Sequence, residues 1–464
     1  MGRNAQRRSS PTSAEIDPSF FDRLRARLGA EVDGLADALL AISPTSIRGN
    51  EAKWPGPEAA RVPWCTNGAY LPERPAFTFD PLLHAGCYYV QEASSMLLEQ
   101  AFRASGFAHE RILALDLCAA PGGKSTHLRS LLHADSLLVS NEIDRKRQVI
   151  LQENLWKWGA ANVVITGSAP TQLQRLPEFF DLIVVDAPCS GEGMFRKDPF
   201  ARAQWNERLV DQCAAMQRNA LLHAWESLRP GGVIVYSTCT WEISENEAQM
   251  AWLMEQGGTC ISIPIDASWG VVRSERLGVD ALRCYPHHVK GEGFFIAAVR
   301  KPGEWTAQYS NAGAHSYYAP AKWLHPRSSW ATVEVGEELF ATDATWSGAL
   351  NDIQRTLNVI SPGVPLAERK AGEWRPHHAL ALASDLDPSH FTRVPLNMDE
   401  ALSYLRGNAL TASNAQGIAL ATHRNVGLGW LQGAGNRWNN RWPAGWRIRS
   451  QHPNAPHVSW SQAH

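Results

Sequence analysis

The sequence has few cysteines, and their spacing excludes two classes of protein. Its 464 residues contain 8 cysteines, all before residue 285. Eight in a chain of this length are too sparse for a disulfide-stapled scaffold. No two have the C-x-x-C spacing of a zinc site, so we expect no metal. Any thiol chemistry is confined to the first part of the chain.

The sequence also lacks a signal peptide and any apolar run long enough to cross a membrane. Residues 1–17 are polar, with Arg3, Arg7 and Arg8 but no apolar segment behind them. We expect a disordered tail there. The expected setting is reducing and cytoplasmic, with no membrane partner.

An excess of positive charge is likewise missing. The formal net charge is −2, from 44 Lys+Arg against 46 Asp+Glu. This excludes a protein that holds nucleic acid through bulk positive charge. Residues 390–464 nevertheless contain seven arginines, no lysine and two acids, a net charge of +5 with five interleaved tryptophans. Any electrostatic contact with nucleic acid is therefore expected to be local and C-terminal.

Secondary-structure patterns indicate a doubly wound α/β sheet. Strand-like and helical segments alternate from Ile112 to Ala298, which is typical of parallel strands joined by crossover helices. Phe294–Val299 suits an antiparallel strand at the end of such a sheet. Before it, apolar residues at helical spacing predict one helix over Phe20–Leu40 and another over Gln91–Phe102.

The segment LDLCAAPGGKSTHL, Leu115–Leu128, predicts a ligand-binding turn. A strand ends at Asp116, and a small-residue loop then opens a helix at the carboxyl edge of the sheet. Glu142 lies 20 residues past Gly122, where a carboxylate accepts hydrogen bonds from ribose hydroxyls. The loop is not G-x-G-x-x-G, so a nucleoside cofactor without a pyrophosphate, such as S-adenosylmethionine, fits better than a dinucleotide.

Two further strands bring thiols to the same edge. The first, in DLIVVDAPCSGEGMFRKDP, ends with Asp186 and Cys189; the second, in GGVIVYSTCTWEISENE, ends with Cys239. Each thiol follows a strand into a polar turn, so we expect both beside the nucleoside pocket. Five other cysteines are interpreted as small buried hydrophobes, namely Cys65, Cys87, Cys213, Cys260 and Cys284.

These three segments resemble RNA 5-methylcytosine methyltransferases of the Nop/Sun type, and in particular the bacterial group F enzymes of small-subunit ribosomal RNA. The paired Pro-Cys and Thr-Cys motifs are specific to the family. Segments 62–96 and 283–301 also match, and EALSYLRGNAL with VGLGWLQGAGNRWNNRWPAGWRIR resembles the PUA-like RNA-binding module.

The resemblance implies a Rossmann-like S-adenosylmethionine-dependent methyltransferase sheet with an N-terminal extension and a C-terminal α+β, PUA-like region. The expected division of the chain is a tail at 1–17, an N-terminal RNA-binding segment at 18–105, the methyltransferase domain at 106–301, a linker at 302–322, an intermediate segment at 323–388, and the PUA-like domain at 389–464.

The resemblance also implies the chemistry. A thiolate that adds to C6 of cytosine makes C5 able to accept a methyl group. Cys239 is implied as the nucleophile, Cys189 as the residue that assists release, and Asp186 as the carboxylate that contacts cytosine. The implied cofactor residues are Cys118, Ala119, Ala120, Pro121, Gly122, Gly123, Lys124, Glu142 and Asp186.

A thiol with an ordinary pKa of about 8.5 needs positive charge nearby to ionise at neutral pH. Lys124 and the sulfonium are the candidate sources. One departure from the family pattern stands after the third strand, where Ser168 replaces the carboxylate that meets the adenine amino group. Ser168 is therefore not included in the predicted site.

Basic side chains mark the expected RNA surface. Arg196 and Lys197 follow the Cys189 motif and are expected to face RNA, whereas His287 and His288 have no obvious third metal ligand. Trp430 and Trp446 are interpreted as core of the small C-terminal module. The arginines at its end are the expected phosphate contacts, namely Arg437, Arg441, Arg447 and Arg449.

Three alternatives remain open. The same chemistry could act on tRNA, because the family divides its targets by accessory domains. An NAD-type oxidoreductase would use the same sheet but leave two strand-end thiols unexplained. A catalytically inactive RNA-binding assembly factor would not need the intact Pro-Cys and Thr-Cys pairs. Nothing in the sequence calls for more than a monomer.

Overall fold

The computed structural model describes residues 16–307, 319–326, 330–450 and 460. The statements below concern these residues. The tail expected at 1–17 lies outside them except for its last two residues. Most of the linker expected at 302–322 lies outside them as well.

The chain begins with two helices, α1 (Pro18–Leu28) and α2 (Glu31–Leu40). The single helix predicted over this stretch is wrong. Gly29 adopts φ +59°, and its N–H donates to the Arg25 carbonyl at 3.0 Å, so α1 ends there. Asp17 caps the start of α1 by accepting from the Ser19 N–H at 2.9 Å.

A small three-stranded antiparallel sheet follows, in the order β2-β1-β3. The predicted helix over Gln91–Phe102 starts later than expected, because a single 3-10 turn at Ser94–Leu97 precedes it. The elements of this part are β1 (Thr45–Gly49), β2 (Gly68–Leu71), α3 (Pro81–His84), β3 (Tyr88–Val90) and α4 (Leu98–Ala104).

The central part contains the predicted alternation of strands and helices. Its elements are β4 (Leu113–Asp116), α5 (Gly123–Leu131), β5 (Leu137–Asn141), α6 (Arg145–Trp158), β6 (Val163–Thr166), β7 (Phe180–Asp186), α7 (Pro199–Gln204), α8 (Glu207–Ser227), β8 (Leu228–Thr238), α9 (Glu247–Glu255), β9 (Thr259–Ile261), β10 (Val272–Ser274), β11 (Ala281–Cys284) and β12 (Phe294–Arg300).

Five of these strands are parallel, in the order β8-β7-β4-β5-β6, which confirms the doubly wound sheet. β12 lies antiparallel between β8 and β11, as expected for the last strand. Alternate residues of each strand point to opposite faces, so the sheet has a separate hydrophobic core on each face. No helix in the described ranges is both long and apolar enough to cross a membrane.

The remaining chain forms two more sheets, a four-stranded β13-β14-β16-β17 and a five-stranded β18-β20-β21-β22-β19. The elements are β13 (Trp330–Val335), β14 (Glu338–Asp343), α10 (Ser347–Thr356), β15 (Val359–Ser361), β16 (Val364–Lys370), β17 (Glu373–Pro376), β18 (Thr392–Pro395), α11 (Met398–Leu405), β19 (Leu410–Ala415), β20 (Ile418–His423), β21 (Val426–Gly433) and β22 (Gly435–Asn440).

The intermediate segment, expected at 323–388, pairs with the central sheet and packs against it. β15 pairs antiparallel with β6, with Val359 opposite Thr166. Leu350 and Ile353 of α10 are buried in the core on one face of the central sheet. The indole of Trp346 is also buried and donates from Nε1 to the Asp135 carbonyl at 2.6 Å. The central sheet is therefore completed by residues far along the chain.

This packing predicts the effect of Leu350→Ala. The side chain is only 2% exposed, so its removal should lower the free energy of unfolding by about 2–5 kcal/mol. Leu40→Ala is the matched control, because Leu40 is 76% exposed and its loss should cost less than ~0.5 kcal/mol. Urea denaturation of both variants measures the difference. Equal effects would contradict the described packing of α10.

Candidate active site

The loop between β4 and α5 forms one wall of a cavity at the carboxyl edge of the central sheet. The cavity has a volume of about 490 Å³, within the range of small-molecule sites. Seven predicted site residues line it: Ala119, Ala120, Pro121, Gly123, Lys124, Asp186 and Cys239. Four do not: Cys118, Gly122, Glu142 and Cys189.

The structure brings the two predicted thiols together. The sulfurs of Cys189 and Cys239 lie 3.1 Å apart, although 50 residues separate them in the chain. Hydrogen bonding to Cys239, together with burial, raises the pKa of Cys189 well above its ordinary value. Cys189 therefore keeps its proton and can donate it to the sulfur of Cys239.

A buried carboxylate holds the two thiol loops in place. Glu245, fully buried, accepts from the Ser190 N–H at 3.0 Å and from the Ser190 hydroxyl at 2.5 Å. The Ser190 oxygen also lies 2.9 Å from the hydroxyl of Thr240. The amide of Gln217 ties the same carboxylate to the Pro188 carbonyl. The residues after both cysteines are thus fixed to one acceptor.

Sequence reasoning missed Glu245. The signal for it was the group of three glutamates that follows Thr238-Cys239 in the motif, at positions 242, 245 and 247.

Lys124 and Asp186 form an ion pair inside the cavity, with Nζ 2.8 Å from Oδ2. The other carboxylate oxygen of Asp186 accepts from the Ser237 hydroxyl at 2.8 Å. Burial alone would lower the pKa of Lys124, but the charge of Asp186 raises it above its ordinary value. The lysine is therefore cationic, and part of its charge is neutralised by Asp186.

Asp116 lies behind the cavity wall at the end of β4. It is fully buried, and its Oδ2 accepts from the Ser125 hydroxyl at 2.6 Å. Burial raises the pKa of Asp116 to about 7. Its Oδ1 is buried without a hydrogen-bond partner among the described residues.

The structure places Glu142 and Cys118 differently from the lining residues. The Glu142 carboxylate is 3% exposed and 3.1 Å from the guanidinium of Arg147. It also accepts from the Asp144 N–H at 2.9 Å. Burial raises the pKa of the Cys118 thiol. A ribose contact at Glu142 thus remains a prediction, with Arg147 as a competing partner.

Ser168, where the family pattern has a carboxylate, is buried and already paired. Its hydroxyl accepts from the Asn358 N–H at 2.8 Å, and the Gly167 N–H donates to the Asn358 carbonyl at 2.8 Å. Asn358 immediately precedes β15. The position that the pattern reserves for an adenine contact is therefore occupied by chain from the C-terminal half.

The N-terminal segment supplies cavity walls that sequence reasoning did not identify. Arg74, Tyr89, Gln91, Glu92 and Ser95 line the cavity opposite the β4–α5 loop. The carboxylate of Glu92 accepts from the Ser95 N–H at 2.9 Å and from the N–H of Glu292 at 2.8 Å. Only the three-dimensional packing of this segment on the central sheet shows the contribution.

The prediction that Arg196 faces RNA is wrong. Its side chain is 5% exposed, because Nε pairs with the Glu292 carboxylate at 2.9 Å. Lys197 is different: it is 30% exposed, lines the cavity and lies 3.4 Å from Glu292. Of the two predicted cations, only Lys197 is positioned to meet a substrate.

Two groups contain metal-ligand side chains. Glu31 lies 3.0 Å from His288 and 3.7 Å from His287. This carboxylate of α2 is the third metal-ligand side chain beside the two histidines, which the sequence did not reveal. Elsewhere, Cys65, Glu99 and His127 are buried together. The Glu99 carboxylate accepts from the backbone and hydroxyl of Thr66 and pairs with Arg103. Both groups thereby link neighbouring elements.

Three family models match this chain and define its class. Residues 107–300 match the family model described as 16S rRNA methyltransferase RsmB/F. Residues 16–93 match the N-terminal domain of 16S rRNA methyltransferase RsmF, and residues 391–448 match its PUA domain. The fold is thus that of a methyltransferase with a PUA domain.

Relatives identify the family. Ribosomal RNA small subunit methyltransferase F of Citrobacter koseri is 32% identical over 416 residues, covering 82% of this chain and 83% of that one. The protein of the same name from Aeromonas hydrophila is 32% identical over 402 residues, covering 82% and 84%. The chain belongs to the ribosomal RNA small subunit methyltransferase F family.

Solved structures show the same fold. A methyltransferase homolog protein from Pyrococcus horikoshii is 27% identical, with a TM-score of 0.52 over 61% of this chain and 95% of that one. NSun6 from Pyrococcus horikoshii, solved with SFG, is 20% identical, with a TM-score of 0.53 over 62% and 99%.

The hydrogen bonds of Glu245 to the thiol loops predict the effect of Glu245→Gln. The variant keeps the shape of the side chain but loses charge-assisted hydrogen bonds to Ser190. Because displacement of a reacting group by about 1 Å can cost ~100-fold in rate, turnover should fall by about 10- to 100-fold, with cofactor affinity unchanged. Methyl-transfer kinetics and cofactor titration measure the two quantities.

Glu255→Gln, on the exposed side of α9, is the matched control for this experiment and should keep full turnover. If the turnover of Glu245→Gln equals that of this control, the hydrogen bonds of Glu245 have no influence on the thiols.

The buried carboxyl of Asp116 predicts a pH dependence of stability. Because its pKa is raised to about 7 in the folded protein, the folded state keeps a proton that the unfolded chain releases above about pH 4. Stability should therefore fall, relative to Asp116→Asn, as the pH rises to about 7, and then level off. Urea denaturation of both proteins across this range tests it; parallel curves would mean that Asp116 ionises normally.

Proposed function

We propose that this protein methylates C5 of a cytosine in small-subunit ribosomal RNA, with S-adenosylmethionine as the methyl donor. One observation carries the proposal: two thiols from different loops lie 3.1 Å apart, and Cys239 opens into a cavity that also contains Lys124 and Asp186. Family membership supports a ribosomal RNA methyltransferase. The thiol pair supports cytosine C5 as the target atom.

The residues present fit the cofactor. The small side chains of Ala119 and Ala120 leave the loop backbone accessible to a ligand, and the unsatisfied Oδ1 of Asp116 lies behind it. Residues 118–124, Glu142 and Asp186 would hold the cofactor. When bound, S-adenosylmethionine supplies an electrophilic methyl group and a positive sulfonium.

Cys239 acts as the nucleophile in the proposed reaction. Its sulfur bonds to C6 of cytosine, the displaced electron pair moves to N3, and the proton that the thiol loses is taken up at N3. C5 thereby becomes electron-rich and accepts the methyl group. The Lys124–Asp186 pair lies beside this thiol and provides both positive charge and a carboxylate that can hydrogen-bond the base.

Cys189 acts in release. After methyl transfer the C5 proton must be removed, and the S–C6 bond must break to restore the aromatic ring. Cys189 holds its proton in the resting state, so it can donate to the Cys239 sulfur as that thiolate leaves. Its sulfur, 3.1 Å from that of Cys239, is placed to donate this proton, and the Asp186 carboxylate in the same cavity is the base available for the C5 proton.

Base access requires an unpaired cytosine, because C6 is shielded in a stacked helix. Lys197 and Arg74 lie at the cavity wall and would contact the flanking phosphates. The same chemistry on tRNA is the second candidate, but the names of the relatives favour ribosomal RNA. A PUA domain after residue 390 supports an RNA substrate in either case.

The mechanism predicts opposite behaviour for the two cysteines. Cys189→Ala should accumulate a covalent protein–RNA adduct, because the nucleophile adds but release fails. Cys239→Ala should form none. Denaturing gel electrophoresis with labelled small-subunit RNA and S-adenosylmethionine measures the adduct, and Cys260→Ala, far from the site, is the control. Normal methylation by both active-site variants would contradict the mechanism.

The target nucleotide is found by mapping 5-methylcytosine in RNA from cells that lack the protein. Loss of one site in small-subunit RNA is the expected result. Loss in tRNA alone would instead establish the second candidate.

A further inference from the structure

A second large cavity lies away from the catalytic cavity, where α6, the four-stranded sheet and the C-terminal domain meet. Its volume is about 600 Å³. We call it the junction pocket and define it by Trp156 of α6, His377, His378, Arg441, Trp442 and Trp446, all of which line it.

The walls of the junction pocket are unusually aromatic. The ring of His378 lies 4.9 Å from that of Trp442 and 5.1 Å from that of Trp446, and the two indoles are 5.6 Å apart. Trp156 packs edge-on against His377 at 4.9 Å. Several aromatic rings, packed edge-to-face on one another, therefore line one space.

The polar atoms of these rings are not satisfied. Both ring nitrogens of His378 and the indole nitrogens of Trp156 and Trp442 have no hydrogen-bond partner among the described residues. Trp442 is only 2% exposed. Burial lowers the pKa of His377 to about 4 and that of His378 to about 3, so both imidazoles are neutral at physiological pH. These donors and acceptors are therefore available to a polar ligand.

Cations surround the aromatic walls. The ammonium of Lys157 lies 4.9 Å from the ring centre of Trp446 and pairs with the Glu153 carboxylate at 2.5 Å. Arg441 is 3.6 Å from Glu368 and 22% exposed, a loose pair that leaves donors available. Aromatic rings beside lysine and arginine are the combination that binds single-stranded nucleic acid, through base stacking and phosphate contact.

The junction pocket is connected to the catalytic cavity along α6. A smaller cavity of about 250 Å³ is lined by Lys157, Asn154, Tyr89 and Val90. Tyr89 and Val90 also line the catalytic cavity. Lys157 reaches Trp446 at the other end. One surface thus leads from the predicted nucleophile to the C-terminal domain.

We propose that the junction pocket binds an unpaired base of the RNA substrate, at a distance from the target cytosine along the same strand. The base stacks on Trp446 and Trp156, and Arg441 contacts the adjoining phosphates. The proposal depends on RNA being the substrate, as inferred above. It gives the C-terminal domain a role that includes a surface of the methyltransferase domain itself.

Removal of the stacking ring tests the proposal. Because base stacking on an aromatic side chain contributes enough to change affinity by ~10-fold or more, Trp446→Ala should raise the Kd for small-subunit RNA and the KM by about that factor. Its kcat at saturating RNA and its Kd for S-adenosylmethionine should not change. Fluorescence anisotropy with a labelled RNA fragment and steady-state methylation measure these values.

Two further variants separate stacking from folding. Trp446→Phe retains a π-face and should restore most of the RNA affinity. Trp374→Ala removes a half-buried indole of β17 outside the pocket and should bind RNA as the unaltered protein does. Trp156→Ala, on the opposite wall, should repeat the defect of Trp446→Ala.

RNA affinity within twofold of the unaltered protein for both Trp446→Ala and Trp156→Ala would overturn the proposal. So would a failure of Trp446→Phe to restore binding, since a lost fold and not a lost stack would then explain the defect. If the unaltered protein binds RNA and Trp446→Ala does not, yet no 5-methylcytosine forms, the junction pocket stands and the proposed reaction fails.

Discussion

Parallel pairing of β7 with β8 is the constraint on which the active site depends. It places Asp186 opposite Ser237, so the two strands end at the same level and their loops leave the sheet side by side. The two cysteines then meet three and two residues later. The hydrogen bonds of Glu245 to Ser190 and the contact between Ser190 and Thr240 keep the loops from separating. The distance between the two thiols is thus set by the register of β7 and β8.

The cavity above this edge is assembled from the N-terminal segment and the methyltransferase domain. The N-terminal segment covers it with Tyr89 and Glu92, and the Lys124–Asp186 pair forms its polar floor. Outside the cavity lining, the Asn358 N–H donates to the Ser168 hydroxyl. Without the N-terminal segment, the cavity would lack the wall opposite the β4–α5 loop. The N-terminal segment therefore shapes the site.

Much of this was predictable because local signals agreed. Within the predicted alternation of strands and helices, α6 has clear local signals at both ends, since Asp144 caps its start and Gly159 ends it. The strand-end thiols were predictable because carboxyl ends of parallel strands share one edge. Burial of Arg196 was not, because its partner Glu292 is 96 residues away. Nor was the pairing of β15 with β6, which joins three residues to a strand nearly 200 positions earlier.

That last pairing has a consequence for how the chain is made. β6 is synthesised long before Val359–Ser361 emerges from the ribosome. Until then its outer backbone groups have no β-strand partner, and an open strand edge is a template for pairing with other chains. The growing enzyme therefore passes through a period in which its central sheet is exposed to misassembly. β15, which begins directly after Asn358, ends this period when it pairs with β6.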